Sequence, residues 1–399
     1  MPLRIAVDGM GGDRAPGAVV EGVKLAMKHP DVHFVLFGDE NVLKSIFPSQ
    51  PPSLSIVHAP QKVGEDEAGI LSILRRPKSS LALAMKSLAA KEVDAVVSAG
   101  DSRAVVAMAK HYVGLSGKVK RPVLAVFVPI TPDRDVLLVD AGAYTGLHAV
   151  PLVQAALLGR VYWRVIKSST EPSIALLNIG REKFKGPVEV RRAAAILQGL
   201  PVNFCGFVEP QDLFSPSTSV DILVTNGFVG NLFLKLYESL AEHLLRSFEV
   251  FCTSMGIQLV APPPPSDVGL KLDLMTDNSK PMECCCKWES NQFQHETIGR
   301  GMPLSSDKGD EKRWQDCFVR YRYEWTGGAP LLGVKRPVIV AHGRSGAFAM
   351  SRAIEKAISL ARENISEKME AGIESDPALV NVARIYKSWA ISAFGRKKA

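Results

Sequence analysis

Residues 220 to 235 read Val-Asp-Ile-Leu-Val-Thr-Asn-Gly-Phe-Val-Gly-Asn-Leu-Phe-Leu-Lys, which sets Asn226, Gly227, Gly230 and Asn231 at one tight turn. Amide side chains donate and accept hydrogen bonds, and glycine lets backbone N–H groups approach a ligand closely, so such a turn can hold an anion. The same residue types recur along the chain. Asp8-Gly-Met-Gly-Gly-Asp13 contributes Gly11, Gly12 and Asp13. Ser98-Ala-Gly-Asp-Ser102 contributes Gly100, Asp101 and Ser102. Asn178-Ile-Gly-Arg-Glu-Lys-Phe-Lys-Gly186 adds Asn178, Gly180 and two lysines, of which Lys185 could supply charge for an anion. His342-Gly343 closes the series, and an imidazole titrates near neutral pH. Each turn has a plainer reading, as a solvated loop or a histidine that closes a strand end. Their repetition carries the functional one.

Each turn follows a short apolar run and precedes an apolar periodicity of three to four, the pattern of a parallel strand feeding a helix. Strands are expected at Arg4–Val7, Phe34–Phe37, Ser55–His58, within Ala95–Gly100 running into the glycine, and at Val123–Val128, Val136–Val139, Ser173–Leu177, Val220–Val224 and Val338–Ala341. Leu232, Leu236, Leu240, Leu244 and Phe248 recur every four residues and predict a long helix with an apolar stripe. Ser79-Ser80 predicts a helix cap after the basic run Arg75-Arg-Pro-Lys78. The alternation predicts a doubly wound, mostly parallel α/β fold whose strand ends line one crevice.

Length and texture divide the chain. Residues 1–254 and 323–365 are expected to form one α/β unit, 255–322 an irregular insertion, and 366–399 a helical, basic tail. The insertion holds Ala261-Pro-Pro-Pro-Pro265, Cys284-Cys285-Cys286 and His295, and adjacent cysteines lack the spacing of an ordered zinc site. Net charge +7 favours anionic substrates or acidic partners and falls short of a nucleic-acid signature. Six cysteines without a framework and the lack of a signal pattern predict a cytoplasmic protein.

These turns resemble the bacterial phosphate acyltransferase (PlsX) family. The matching pieces are Val7–Asp13 with Ala15-Pro16, Ser98–Gly100, Arg121-Pro122, Leu176–Gly180 with Lys185-Gly186, Asn203-Phe204, Gly227–Asn231, Leu234-Lys235, Gly328–Gly333 and His342-Gly343. The resemblance implies a fold similar to the isocitrate/isopropylmalate dehydrogenase and phosphotransacetylase group, and a homodimer. It also implies transfer of a long acyl chain from acyl carrier protein to inorganic phosphate for phospholipid synthesis, without metal or cofactor. Phosphate can attack a thioester itself, so placement and charge neutralisation are what the protein must supply. On that basis Asn178, Lys185 and Asn231 are expected to hold phosphate or oxyanion, while Asp13 and His342 orient groups or handle a proton. Gly11, Gly12, Gly100, Asp101, Ser102, Arg121, Gly180, Asn226, Gly227 and Gly230 are expected around the phosphate.

Arg75, Arg76, Lys78 and the 181–185 loop are basic candidates for docking an acidic carrier, and the family adds peripheral membrane association. The chain departs from the family pattern at several turns. Asp101-Ser102-Arg103 stands where the family has Asn-Thr-Gly, Tyr144 where it has Asn, Arg181 where it has Glu, and Asn226 where it has Asp. Two other functions stay open, transfer from coenzyme A with short acyl chains and a weakened homologue that acts as a scaffold. A dehydrogenase is disfavoured, because no Rossmann fingerprint is present.

Overall fold

The structure, a computed structural model, describes residues 2–48, 50–64, 69–131, 133–167, 171–215, 217–254 and 320–382. The polyproline run, the three adjacent cysteines and His295 lie outside the described residues. Eleven strands form one sheet: β1 Leu3–Asp8, β2 Val32–Gly38, β3 Leu54–His58, β4 Ala95–Ser98, β5 Val123–Thr131, β6 Arg134–Val139, β7 Ile174–Leu177, β8 Phe204–Val208, β9 Ile222–Val224, β10 Ala329–Leu332 and β11 Val338–Val340. The helices are α1 Gly17–Ala26, α2 Glu40–Ile46, α3 Ile70–Leu74, α4 Ser80–Ala89, α5 Ser102–Met108, α6 Ala149–Ile166, α7 Val188–Gln198, α8 Gly227–Ser254, α9 Ala347–Arg362 and α10 Ile365–Ser375.

The strands bury both faces, as their near-continuous apolar sequences require. Ile5 and Val7 of β1 point into one core cluster and Ala6 into the other, the period-two alternation of a pleated strand. The first cluster is completed by α1, α6, α7, α9 and α10, and the second by α4 and α5. Helix α10, expected as the start of a tail, instead buries Ile365, Met369 and Ile373 in the first cluster. Periodic apolar residues on its inner face explain the difference. Gly22 lets α1 and α9 pack closely, since a Cβ there would meet that of Met350 at 2.5 Å.

Strand order is β3-β2-β1-β4-β11-β10-β5-β6-β9-β7-β8. The pairs β11–β10, β10–β5 and β5–β6 are antiparallel, and the rest are parallel. An odd number of reversals makes the two parallel halves run in opposite directions, which the expectation of a single shared strand edge did not foresee. Register resolves the conflict. Val340 pairs with Ser98 and Ala329, Leu331 with Leu124, and Ala125 with Val139, which pairs with Val224. The C-terminal ends of β4 and β11 therefore lie within about two residues, in register, of those of β6 and β9. Turns from both halves meet near the middle of the sheet.

Candidate active site

A cleft of about 780 Å³ opens where those turns meet. From the first half come Gly11, Gly12 and Asp13 after β1, Gly100, Asp101 and Ser102 after β4, and His342 and Gly343 after β11. From the second half come Gly142 and Thr145 after β6, with Gly227 and Asn231 at the start of α8. Nine of the expected site residues thus share one wall. Lys62, Arg103, Lys235 and Arg344 also line it, against the carboxylates of Asp8, Asp13 and Asp101.

Asp8 ties the first half together. Its buried carboxylate accepts from Ser80 Oγ at 2.6 Å and Ser98 Oγ at 2.7 Å, and Ser98 Oγ accepts from the Gly100 N–H at 3.0 Å. Burial raises the Asp8 pKa, and those two hydroxyl donors oppose the rise. The paired serines divide their work, because Ser79 Oγ caps α4 through the Ala82 N–H at 3.3 Å. Gly11 is needed here: a Cβ would stand 2.4 Å from Asp8 Oδ2 and 2.9 Å from the Gly100 nitrogen. The Asp13 N–H donates to the Gly343 carbonyl at 2.8 Å, which latches the first turn to the last.

Asp140 is the counterpart in the second half. It accepts from the N–H groups of Leu124 and Gly142, both at 3.0 Å, and of Ala143 and Tyr144, both at 2.8 Å. Burial still pushes its carboxyl up to about 6, against the pull of these donors. Gly230 packs on this turn so closely that a Cβ would lie 2.0 Å from the Asp140 carbonyl oxygen, and Gly227 faces Tyr144 in the same way. Both glycines therefore serve first to dock α8, and Gly227 alone of the two reaches the cleft.

Six expected residues do not line the cleft: Asn226 and Gly230 at the head of α8, and Arg121, Asn178, Gly180 and Lys185. Asn178, Gly180 and Lys185 follow β7, one strand beyond β9, and do not line the cleft. The buried Asn178 amide instead clasps its own loop, donating to the carbonyls of Gly180 and Lys185 at 3.1 Å each. Lys185 Nζ is 2.8 Å from Glu182. The Arg121 guanidinium lies 3.6 Å from the centre of the Tyr144 ring, a cation–π stack made by one of the departures. Another departure is absorbed likewise, as Arg181 makes a two-pronged ion pair with Asp212. The sequence marks Lys235 only within a motif and Ser80 only as a cap, and gives no signal for Lys62, Thr145 or Arg344.

Behind His342 lies a smaller recess of about 80 Å³, walled by Leu124, Val126, Leu234, Ala329 and Val340. Asn231, Ser102 and His342 border both spaces. Burial, then the cations of Arg344 and Lys235, hold the His342 imidazole down to about 4, with Asp13 opposing them. It is therefore neutral at pH 7 and a weak base, whose imidazolium would give its proton up readily.

The fatty acid synthesis protein family model matches residues 3–254. A phosphate acyltransferase of Syntrophobacter fumaroxidans is 37% identical over 382 residues, covering 95% of this chain and 94% of that protein. The chain belongs to the phosphate acyltransferase family. Another phosphate acyltransferase, from Dictyoglomus turgidum, is 32% identical, with 93% of this chain and 98% of that protein covered. A phosphotransacetylase from Streptococcus pyogenes shares the fold, with a TM-score of 0.52 at 12% identity over 91% of this chain and 94% of that one. The sequence comparisons thus show the acyltransferase family, and the structural likeness shows the mostly parallel α/β fold.

Membership sharpens what the departures do. Asn226 stands where the resemblance implies aspartate, and its Nδ2 donates to the Thr145 carbonyl at 2.7 Å while Oδ1 accepts from the Val229 N–H at 3.4 Å. A carboxylate cannot donate, so N226D would set two oxygens against each other at a site only 8% exposed. The expected result is a loss of about 1–3 kcal/mol in chemical denaturation. An unchanged or raised midpoint would show that the 145 loop moves freely to accept the acid.

Proposed function

We propose that the protein transfers a long-chain acyl group from acyl carrier protein to inorganic phosphate, forming an acyl phosphate for phospholipid synthesis. The observation that carries this reading is the convergence of both half-sheets on one cleft rich in cations and backbone donors. Phosphate dianion bonds through one oxygen to the thioester carbon, and the C–S bonding pair leaves with sulfur. The proton of the phosphate hydroxyl ends on that sulfur, so acyl phosphate and thiol are the products. Lys235, Arg344 and Asn231 are placed to hold the dianion and the developing oxyanion. The apolar recess beside His342 accepts the first methylenes of the acyl chain.

The rim supports a protein-bound donor. Arg75, Arg76 and Lys78 are exposed immediately before Ser80, which lines the cleft. Ile70 and Leu71, exposed by 62% and 75%, stand beside them. An apolar pair fringed by cations suits an acidic helical carrier. The 181–185 loop fits this role less well, with Arg181 on Asp212, Lys185 on Glu182, and the loop off the cleft. Leu232, Leu236, Leu240 and Leu244 form an exposed row along α8, which we assign to contact with a second copy of the chain.

The test is to incubate purified protein with palmitoyl carrier protein and phosphate and trap the product with hydroxylamine. Hydroxamate that depends on phosphate is the expected result. Activity confined to acetyl- or butyryl-coenzyme A would replace the carrier donor. A folded protein with no product from either donor would favour a scaffold.

A further inference from the structure

Glu238 is the group beside this site for which the reaction has so far found no use. It follows Asn231 by seven residues and Lys235 by three, so the three side chains descend one face of α8. Both earlier residues line the cleft, whereas Glu238 lines the recess behind it and is only 7% exposed. A carboxyl group is rare at such burial unless it is paired. Glu238 Oε2 nevertheless has no hydrogen-bond partner among the described residues. His342 Nε2 and the Arg344 guanidinium both lie 3.8 Å from it, beyond hydrogen-bond length but within strong electrostatic reach. His342 thus stands between the substrate cleft and a buried carboxylate oxygen that has charge partners at 3.8 Å and no hydrogen bond among the described residues.

We propose that Glu238 is a positioning residue for acyl transfer, acting through His342 by compensating its charge while the imidazole passes the phosphate proton to the departing sulfur. This inference rests on the acyl-transfer reading above. As the phosphate oxygen bonds to carbon, its hydroxyl proton moves to His342, and from there to the sulfur that leaves with the C–S pair. Glu238 keeps no proton from the cycle, and its carboxylate offsets the transient imidazolium across the recess wall.

The charged groups facing this pair come from three elements. Lys235 and Glu242 lie on α8, Arg344 follows β11, and Asp13 reaches His342 from the turn after β1. Burial pushes the Glu238 carboxyl up to about 7, with Arg344 and Lys235 holding it back and Glu242 adding to the rise. Above neutral pH the acid is ionised and the imidazole neutral, the state able to take a proton from phosphate. Below it the acid is neutral and offers the imidazolium nothing.

Two readouts on full-length protein test this. In E238Q, kcat at saturating phosphate and pH 8 is expected to fall roughly 10- to 100-fold, with the phosphate KM within about twofold of wild type. In parallel, the His342 Cε1 resonance should shift through a step near pH 7 in wild type and lose that step in E238Q. E238D, which keeps an ionisable group, should restore the step and part of kcat. The inference is overturned if E238Q keeps both the step and kcat, or if its loss tracks a lowered melting temperature that E238D does not repair. Should wild type make no acyl phosphate at all, the acyl-transfer reading falls, and the resonance comparison alone decides whether Glu238 and His342 are coupled.

Discussion

Replacing Lys235 by methionine should lower kcat/KM for phosphate by roughly 10- to 100-fold, the effect of removing one charge-assisted hydrogen bond to an anion. Most of the change should appear in KM. Lys235 stands one helical turn beyond Asn231 and faces the cleft from α8. The side chain is exposed, so its removal leaves the core untouched and the melting temperature close to wild type. Steady-state kinetics across a phosphate series, with circular dichroism melts, read both quantities. The matched control is K185M. Lys185 pairs with Glu182 on the neighbouring loop, so its loss should move kcat/KM far less. A larger loss in K185M than in K235M would relocate the phosphate to the turn after β7 and sink the assignment made here.

The second large effect concerns two departures that the structure joins into one. Arg103 Nε and Nη2 donate to Asp101 Oδ1 at 3.1 Å and Oδ2 at 3.2 Å, and Asp101 also accepts from the N–H groups of Arg103 and Ala104 at the head of α5. The resemblance implies asparagine and glycine at these places, and relative to that pair the acid and base here leave the local charge unchanged. With side chains 59% and 32% exposed, the pair adds little to stability. Its importance lies in the field felt by an incoming dianion. R103G should expose the Asp101 carboxylate to phosphate and raise its KM roughly tenfold, a cost of about 1–2 kcal/mol for like charges several ångströms apart at the protein surface. The double variant D101N/R103G should return close to wild type. Additive losses in the double-mutant cycle would show that the two residues act separately, and a gain in R103G alone would show that Arg103 obstructs the cleft.

Much of this was legible in the sequence, for physical reasons that differ from place to place. Strands covered on both faces show as short apolar runs, and a helix start packed so closely that any Cβ would clash tolerates only glycine, so β1, β4, β9 and the Gly227–Gly230 turn announce themselves. The reversal between the two halves does not, because the two reversals at β10 cancel and the net one is the antiparallel β5–β6 pair, whose apolar runs read the same in either pairing direction. Asn178 misled for a related reason: an amide that clasps its own loop carries the same residue signature as one that binds a ligand. Glu238 left a faint trace, as the third polar residue in the Asn231–Lys235–Glu238 row, but charged rows on helices mostly face water. Only the packing of α8 over the recess shows that this one does not.

Strands β10 and β11 also bear on how the protein is made. Residues 3–254 match the family model, yet that span ends before the two strands that fill the centre of its own sheet. Ser98 leaves the ribosome about 240 residues before Val338, its neighbouring strand. At usual rates of synthesis, the open edges of β4 and β5 wait on the order of ten to fifty seconds for partners. A nascent chain with two bare edges in mid-sheet is a template for pairing with other chains. Cellular yield should therefore depend on chaperone capacity and translation speed over residues 100–340, in a way that the melting temperature of the finished protein would not reveal.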